Sequence, residues 1–243
     1  MSNAGCLIDT MNTLLPLFCL AWTLLLYFVA KPLYLRYRKP WLSPAIVVPA
    51  LTILLMLLAH IPYASYFEET HWLTWLMGPA TVAFAVPIYE YRQVARRHAL
   101  SLGMGVATGM VVAMVSSCLL ARMFGFSAEV THSLMARSIS TPFAVALAER
   151  TGGSAELVSL FTIITGLVGM IAGDSLLAVL RLRSKLAHGA SYGAGAHGFG
   201  AARARERDSE EGVVASLTLV IAGIGMVVVG PALSGLVSGL LGG

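Results

Sequence analysis

Residues 138–149 read SISTPFAVALAE, and the fold turns on what this stretch does. Pro142 forfeits a backbone donor at the head of an apolar run, while Ser138, Ser140 and Thr141 bring hydroxyls that need partners. Ser or Thr followed by Pro suits the start of a helix. The hydroxyl caps free N–H groups, and Pro occupies the first turn, where its missing donor costs nothing. What such a start does inside an oily chain depends on the residues around it.

The 243 residues are 57% hydrophobic and 12% charged; an ordinary soluble domain carries roughly 25% charge. With a mean hydropathy of +0.79, the chain points to a bilayer as its solvent. Apolar segments run over 14–30, 44–61, 73–89, 100–121, 138–148, 157–180 and 212–241, with a glycine-rich, weakly apolar stretch at 186–202. A membrane helix needs about 20 residues. Five or six of these segments qualify, and those at 138 and 186 do not. The expected fold is an all-α polytopic membrane protein of about six to eight transmembrane segments. Residues 1–12 read as a tail whose first four, Met1 to Ala4, resemble a cloning scar, and 13–243 as one transmembrane domain. Cys6, Cys19 and Cys118 are scattered, with no metal spacing and no disulfide framework, so no cofactor is implied.

Thirteen of the sixteen Lys and Arg fall in four short clusters: Lys31–Lys39, Arg92–Arg97, Arg181–Lys185 and Arg203–Arg207. They form no continuous basic face, so nucleic acid is not an expected partner. The positive-inside rule puts all four clusters in the cytoplasm. The N-terminus and the aromatic loop around Tyr63, Tyr66, Phe67 and Trp72 are then outside. The span from Leu100 ends outside near Arg122, while Arg181 is inside. An odd number of crossings must separate them, yet two candidate segments lie between. Either 138–148 dips in without crossing or 123–137 crosses as well. Both place irregular backbone at membrane depth, which is tolerated only inside protein or beside a wet cavity.

A weak internal repeat supports this reading. TVAFAVPIYE (81–90) is similar to TPFAVALAE (141–149) with one gap, and Gly109-Met110 matches Gly169-Met170; both Thr-to-Gly separations are 28 residues. The units, about 73–124 and 136–184, run in opposite directions by charge, making an inverted repeat. Proline-broken helices at matching places of such repeats expose free N–H groups carrying partial positive charge, where an anion can sit. The expected binding residues are Pro79 and Thr81 from one copy and Ser140, Thr141 and Pro142 from the other. The blander alternative is a kinked helix with locally bonded hydroxyls. Arg137 could hold a carboxylate bidentately or snorkel to the interface. His197 could relay a proton or donate to a substrate, or simply pack. Asp174 is an acid within a span and so a candidate for coupling. No Ser/His/Asp set or catalytic carboxylate pair stands out, so an enzyme is not expected.

GPATVAFAVPIY (78–89), RSISTPFA (137–144), LRLR (180–183), GASYGAGAHGFGAAR (189–203) and Glu211-Gly212 occur in the order of the CidB/LrgB family signatures, and the chain resembles that family from about Leu14 onward. The resemblance implies one of two functions. One is a holin/antiholin-like modulator of murein hydrolase export and autolysis, acting with a small CidA/LrgA-type membrane partner. The other is alternating-access transport of small monocarboxylates such as pyruvate, lactate or glycolate. It implies a multi-pass protein of the bacterial inner membrane; a homodimer is expected by analogy with elevator-type carriers. Arg137 stands where the family has Lys, Ser140 where it has Thr, and Ala196 and Ala201 where it often has Ser and Thr. Charge is kept, and two hydroxyls near His197 are lost.

Overall fold

The structure is a computed structural model. It describes the backbone of residues 2–37, 39–83 and 85–242, and the side chains of 14–37, 39, 41–79, 82, 83, 86 and 89–240. Among the described residues every regular element is helical. The chain divides into two compact units, Met1–Pro79 and Ala80–Gly243.

In the first unit, α1 (Ser2–Tyr37), a short 3-10 turn (Pro40–Leu42), α2 (Pro44–Leu58) and α3 (Tyr63–Trp75) follow one another. Pro44 starts α2 from the first turn, after Ser43. Helix α1 packs on α2 and α3, and a 3.4 Å hydroxyl contact joins Thr23 to Tyr66. The aromatic residues read as interfacial line α3, with the Tyr63 and Phe67 rings stacked at 5.7 Å.

In the second unit, α5 (Ala85–Glu90), α6 (Arg92–Arg97), α7 (Ala99–Met123), α8 (Ala128–Ala136), α9 (Thr141–Thr151), α10 (Ala155–Val179), α11 (Lys185–Arg207) and α12 (Ser209–Gly242) follow; α4 (Met77–Ala83) bridges the boundary in sequence. Of the helices long enough to cross a membrane, α12 has the most apolar and the most enclosed stretch. Phe143 and Leu147 of α9 sit where Gly223 and Gly230 of α12 leave room, and Met114, Met135, Leu147 and Met226 are fully buried around them. Lipid tails are as apolar as leucine, so this core is held by close contact and not by release of water. Pro231 removes the N–H that would bond the carbonyl four residues back, at Val227. Arg150 supplies the missing donor, its Nη1 reaching Val227 O at 3.0 Å.

Four helices are long and apolar enough to cross a membrane: Leu14–Tyr37, Ala99–Met123, Ala155–Val179 and Ser209–Leu240. That is fewer than the five or six read from hydropathy, for local reasons. Residues 44–61 yield only the 15-residue α2, about 22 Å long. Residues 73–89, which contain Pro79 and Pro87, divide among α3, α4 and α5. The stretch 138–148 is a helix of its own: α8 ends at Ala136, a turn follows, and α9 starts with Ser140 as its cap and Pro142 in its first turn. Gly152, at φ 82°, ends α9 and sends the chain back to α8, where Ser154 N–H donates to Ser133 Oγ at 2.9 Å.

Helix α11 is two helices. His197 has φ 37° and ψ −120°, and the chain reverses there. Twenty-three residues of straight helix would be about 34 Å long, yet Lys185 Nζ and Asp208, at opposite ends, are 2.8 Å apart. The first leg, 185–196, and the second, 198–207, therefore form a hairpin with His197 at its tip. Glycines let it pack. A Cβ on Gly193 would collide with Ala215 O of α12, one on Gly200 with Tyr192 O of the first leg, and one on Gly212 would come within 2.7 Å of Arg205 Cα. The basic clusters flanking 186–202, both assigned to the cytoplasm from sequence, thus lie at one end of the unit.

Two measurements check the hairpin. Gly193→Val must push the first leg off α12 and destabilise the detergent-solubilised protein by on the order of 1–3 kcal/mol, whereas Gly195→Ala, where a new Cβ meets nothing, leaves melting unchanged or slightly raised. At the base, the hydrogen bond from Lys185 holds the Asp208 carboxyl below its usual range, and Asp208 in return raises Lys185. The pair's contribution is full above the ordinary aspartate range, near pH 4, and is lost as pH falls through the lowered folded value. At alkaline pH it is lost as Lys185 deprotonates above its ordinary range. Asp208→Asn keeps the α12 cap but not the charge, so it should melt below the parent at pH 7 and level with it in acid, with added salt narrowing the gap.

Candidate functional site

Helix α10 is the platform for the site. Gly166, Gly169 and Gly173 lie along one side of it, at the i, i+3, i+7 spacing of a helix face. Over them sits the first leg of the hairpin. A Cβ would approach Tyr192 at 2.5 Å from Gly173, Ala196 at 2.6 Å from Gly169, and His197 Cε1 at 2.6 Å from Gly166. The glycine-rich sequence between 186 and 202 is thus matched by glycines on the helix it lies against. This is the close-packing role that small residues suggest in an apolar chain.

At the tip, His197 is 2% exposed, and its Nε2 has no hydrogen-bond partner among the described residues. Its ring meets Phe199 edge-on, with centroids 6.3 Å apart. One residue before Gly166, Thr165 accepts a hydrogen bond from Arg137 Nη1 at 3.0 Å. Arg137 closes α8 and opens the turn into α9. The two interruptions of the second unit, 137–140 and 197, therefore meet on Thr165 and Gly166. Ser140 is buried and its hydroxyl makes no cap hydrogen bond; Thr141 and Pro142 are half-buried. Thr162, one turn before Thr165, is fully buried with an unpartnered hydroxyl. Unpaired buried polar atoms each cost about 1–3 kcal/mol, and positive φ at a histidine adds strain; such features gather at functional sites.

Arg137 is half-buried and pairs with no carboxylate among the described residues. Three features that suit an anion thus occur in this unit: a cation with no carboxylate partner among the described residues, a helix N-terminus three residues on, and an imidazole nitrogen without a hydrogen bond. A cavity of about 490 Å³ begins beside the tip, at Gly198, and follows Ala201, Ala202 and Ser216 to Arg205 and Glu206.

At the other end the charges are neutralised. Asp174 accepts from Tyr192 OH at 2.6 Å, from Arg203 Nη2 at 2.6 Å and Nε at 3.0 Å, and from Arg207 Nη1. Arg207 Nε also reaches Glu211 at 3.0 Å, and Glu211 takes His188 Nδ1 at 2.8 Å. Asp174 thereby ties both legs of the hairpin to α10. An acid in a span is unfavourable unless paired; here it is paired twice, which accounts for its presence structurally.

Of the residues read from sequence, Arg137, Ser140, Thr141, Pro142 and His197 share this unit, and Arg137 and His197 lie against consecutive residues of α10, Thr165 and Gly166. Pro79 is exposed in α4, at the end of the first unit; the Thr81 side chain lies outside the described residues. Sequence reasoning missed Thr162, Thr165 and Gly166. Their signal was available: two hydroxyls and a glycine within five residues of an otherwise apolar span.

The model of the LrgB-like family matches residues 23–236. A Bacillus subtilis protein, "Uncharacterized protein YwbG", is 35% identical over 83% of this chain and 90% of its own length. "Holin-like protein CidB" of Staphylococcus aureus is 31% identical over 83% of this chain and 88% of its own, and that of Staphylococcus epidermidis 29% over the same shares. No solved structure matches the chain.

The two ends of the unit should respond differently to charge removal. Asp174→Asn leaves Arg203 and Arg207 with one carboxylate each, Glu206 and Glu211, and unties both legs of the hairpin from α10, so it should lower stability by on the order of 1–3 kcal/mol, less than a fully buried pair because the carboxylate is partly exposed. Arg137→Gln loses only a hydrogen bond to a neutral oxygen, about 0.5–1.5 kcal/mol. Thermal unfolding of the purified variants in detergent ranks them; the reverse order would contradict this assignment of charges.

Proposed function

The chain belongs to the LrgB-like family, and on that premise we propose that it is a holin-like membrane protein that modulates murein hydrolase export and autolysis. The observation that carries this reading is its similarity, over most of both chains, to proteins named holin-like CidB. Four membrane-length helices agree with a membrane location; the source of those relatives supports a bacterial cytoplasmic membrane. A small CidA/LrgA-type membrane protein and a second copy of the chain are the proposed partners.

A second reading is favoured by one feature of the site: the uncommitted Arg137 beside a buried, unpartnered His197. It makes the chain a carrier of small monocarboxylates. The carboxylate binds at Arg137 and the α9 start, and the interrupted elements move to alternate access. In this reading the short broken helices add to the four long ones to make six to eight segments. The inverted repeat supplies the two access states.

Expression in a bacterial host followed by a zymogram, together with uptake of labelled pyruvate into proteoliposomes, separates the readings. The first expects altered murein hydrolase activity and autolysis without saturable uptake. Saturable uptake that falls more than about tenfold in Arg137→Gln, equivalent to about 1.4 kcal/mol, with an unchanged zymogram, would replace it with the second.

A further inference from the structure

We propose that Thr165 is the positioning residue that makes the site selective for anions: it holds Arg137 in place without neutralising it. The inference deepens the carrier reading and rests on the site being one that admits a small anion.

Among the arginines of the second unit, some lie on carboxylates and others on neutral oxygens, as Arg150 does on the Val227 carbonyl. Arg203 and Arg207 lie on carboxylates: Asp174 and Glu206 for one, Asp174 and Glu211 for the other. Arg137 lies on a hydroxyl, the Thr165 Oγ1 at 3.0 Å. A carboxylate there would fix the guanidinium equally well, but it would cancel the charge. A hydroxyl oxygen accepts one N–H and leaves the charge whole, so the remaining guanidinium donors stay available for a planar, two-oxygen ligand. The next residue, Gly166, completes the arrangement. Its missing side chain leaves room for His197 and Phe199, so one dipeptide sets the cation and the tip imidazole relative to each other. A half-buried charge without a counter-ion is costly in the folded protein. A ligand bearing the opposite charge removes that cost. The ligand class this selects is a small monoanion, because Thr165 holds a single cation, Arg137.

The test reads charge selectivity directly and needs no knowledge of the natural ligand. In the full chain with its three cysteines replaced, Ser138→Cys puts a half-buried thiol next to Arg137. Its reaction rates are measured with two methanethiosulfonates of similar size, one anionic and one cationic. The anionic reagent is expected to react on the order of tenfold faster, as a nearby uncompensated positive charge predicts. Thr165→Asp should erase or invert that preference, Thr165→Val should reduce it, and Thr165→Ser should restore it. Thr165→Val and Thr165→Ser nearly conserve volume and decide the matter if the aspartate variant does not fold by gel filtration. A purely structural threonine would slow both reagents together and leave their ratio alone. A preference that persists unchanged in Thr165→Asp and Thr165→Val overturns the role of Thr165 while leaving the anion site standing. Absence of any preference in the reference chain, or no reaction with either reagent, overturns the anion site itself and this inference with it.

Discussion

Asp174 is a carboxylate in an otherwise apolar helix, and such a group persists there only if cations reach it. Arg203 and Arg207 do so from the second leg of a hairpin, and Tyr192 from the first. That one neutralisation demands much of the rest. The chain must reverse at His197, the legs must lie close enough for both to touch one acid, and α10 and α12 must offer glycine at the contact points. The network of Glu211, His188, Lys185 and Asp208 then closes the open end of the hairpin.

Closing one end with matched charges leaves the other end different in kind. The tip carries a histidine whose Nε2 has no hydrogen bond among the described residues, and it lies against Gly166, next to the threonine that holds Arg137. Charges at the base are satisfied within the protein, so they hold shape. The charge of Arg137 has a hydroxyl partner but no carboxylate among the described residues, so it is not cancelled. This contrast, more than any single residue, separates the structural network at the base from the site proposed at the other end of the bundle.

Much of this was legible in the sequence. Hydropathy indicated a membrane protein, and the family signatures supported it. Ser140 and Pro142 read as a helix start inside the apolar region, and α9 begins there. The basic clusters on either side of 186–202 read as lying on one face of the membrane, and the hairpin brings them to one end. Other features were not legible. Asp174 read as a candidate for coupling, and its partners on both legs of the hairpin could not be read from the sequence. Residues 44–61 and 73–89 read as spans by hydropathy, yet they fold into shorter helices.

From composition, charge placement and local propensity, the chain alone determined its solvent, its helical class, the start at Ser140–Pro142 and the family it belongs to, because each of these depends on residues near one another in sequence. Only the tertiary structure decided that His197 is a turning point, that Asp174 is neutralised by residues 29 and 33 positions away, and that Thr165 and Gly166 join the two interruptions. Those facts depend on which helix faces meet. A glycine or a threonine in an apolar helix carries no mark of the partner it will face until packing has brought the two backbones together.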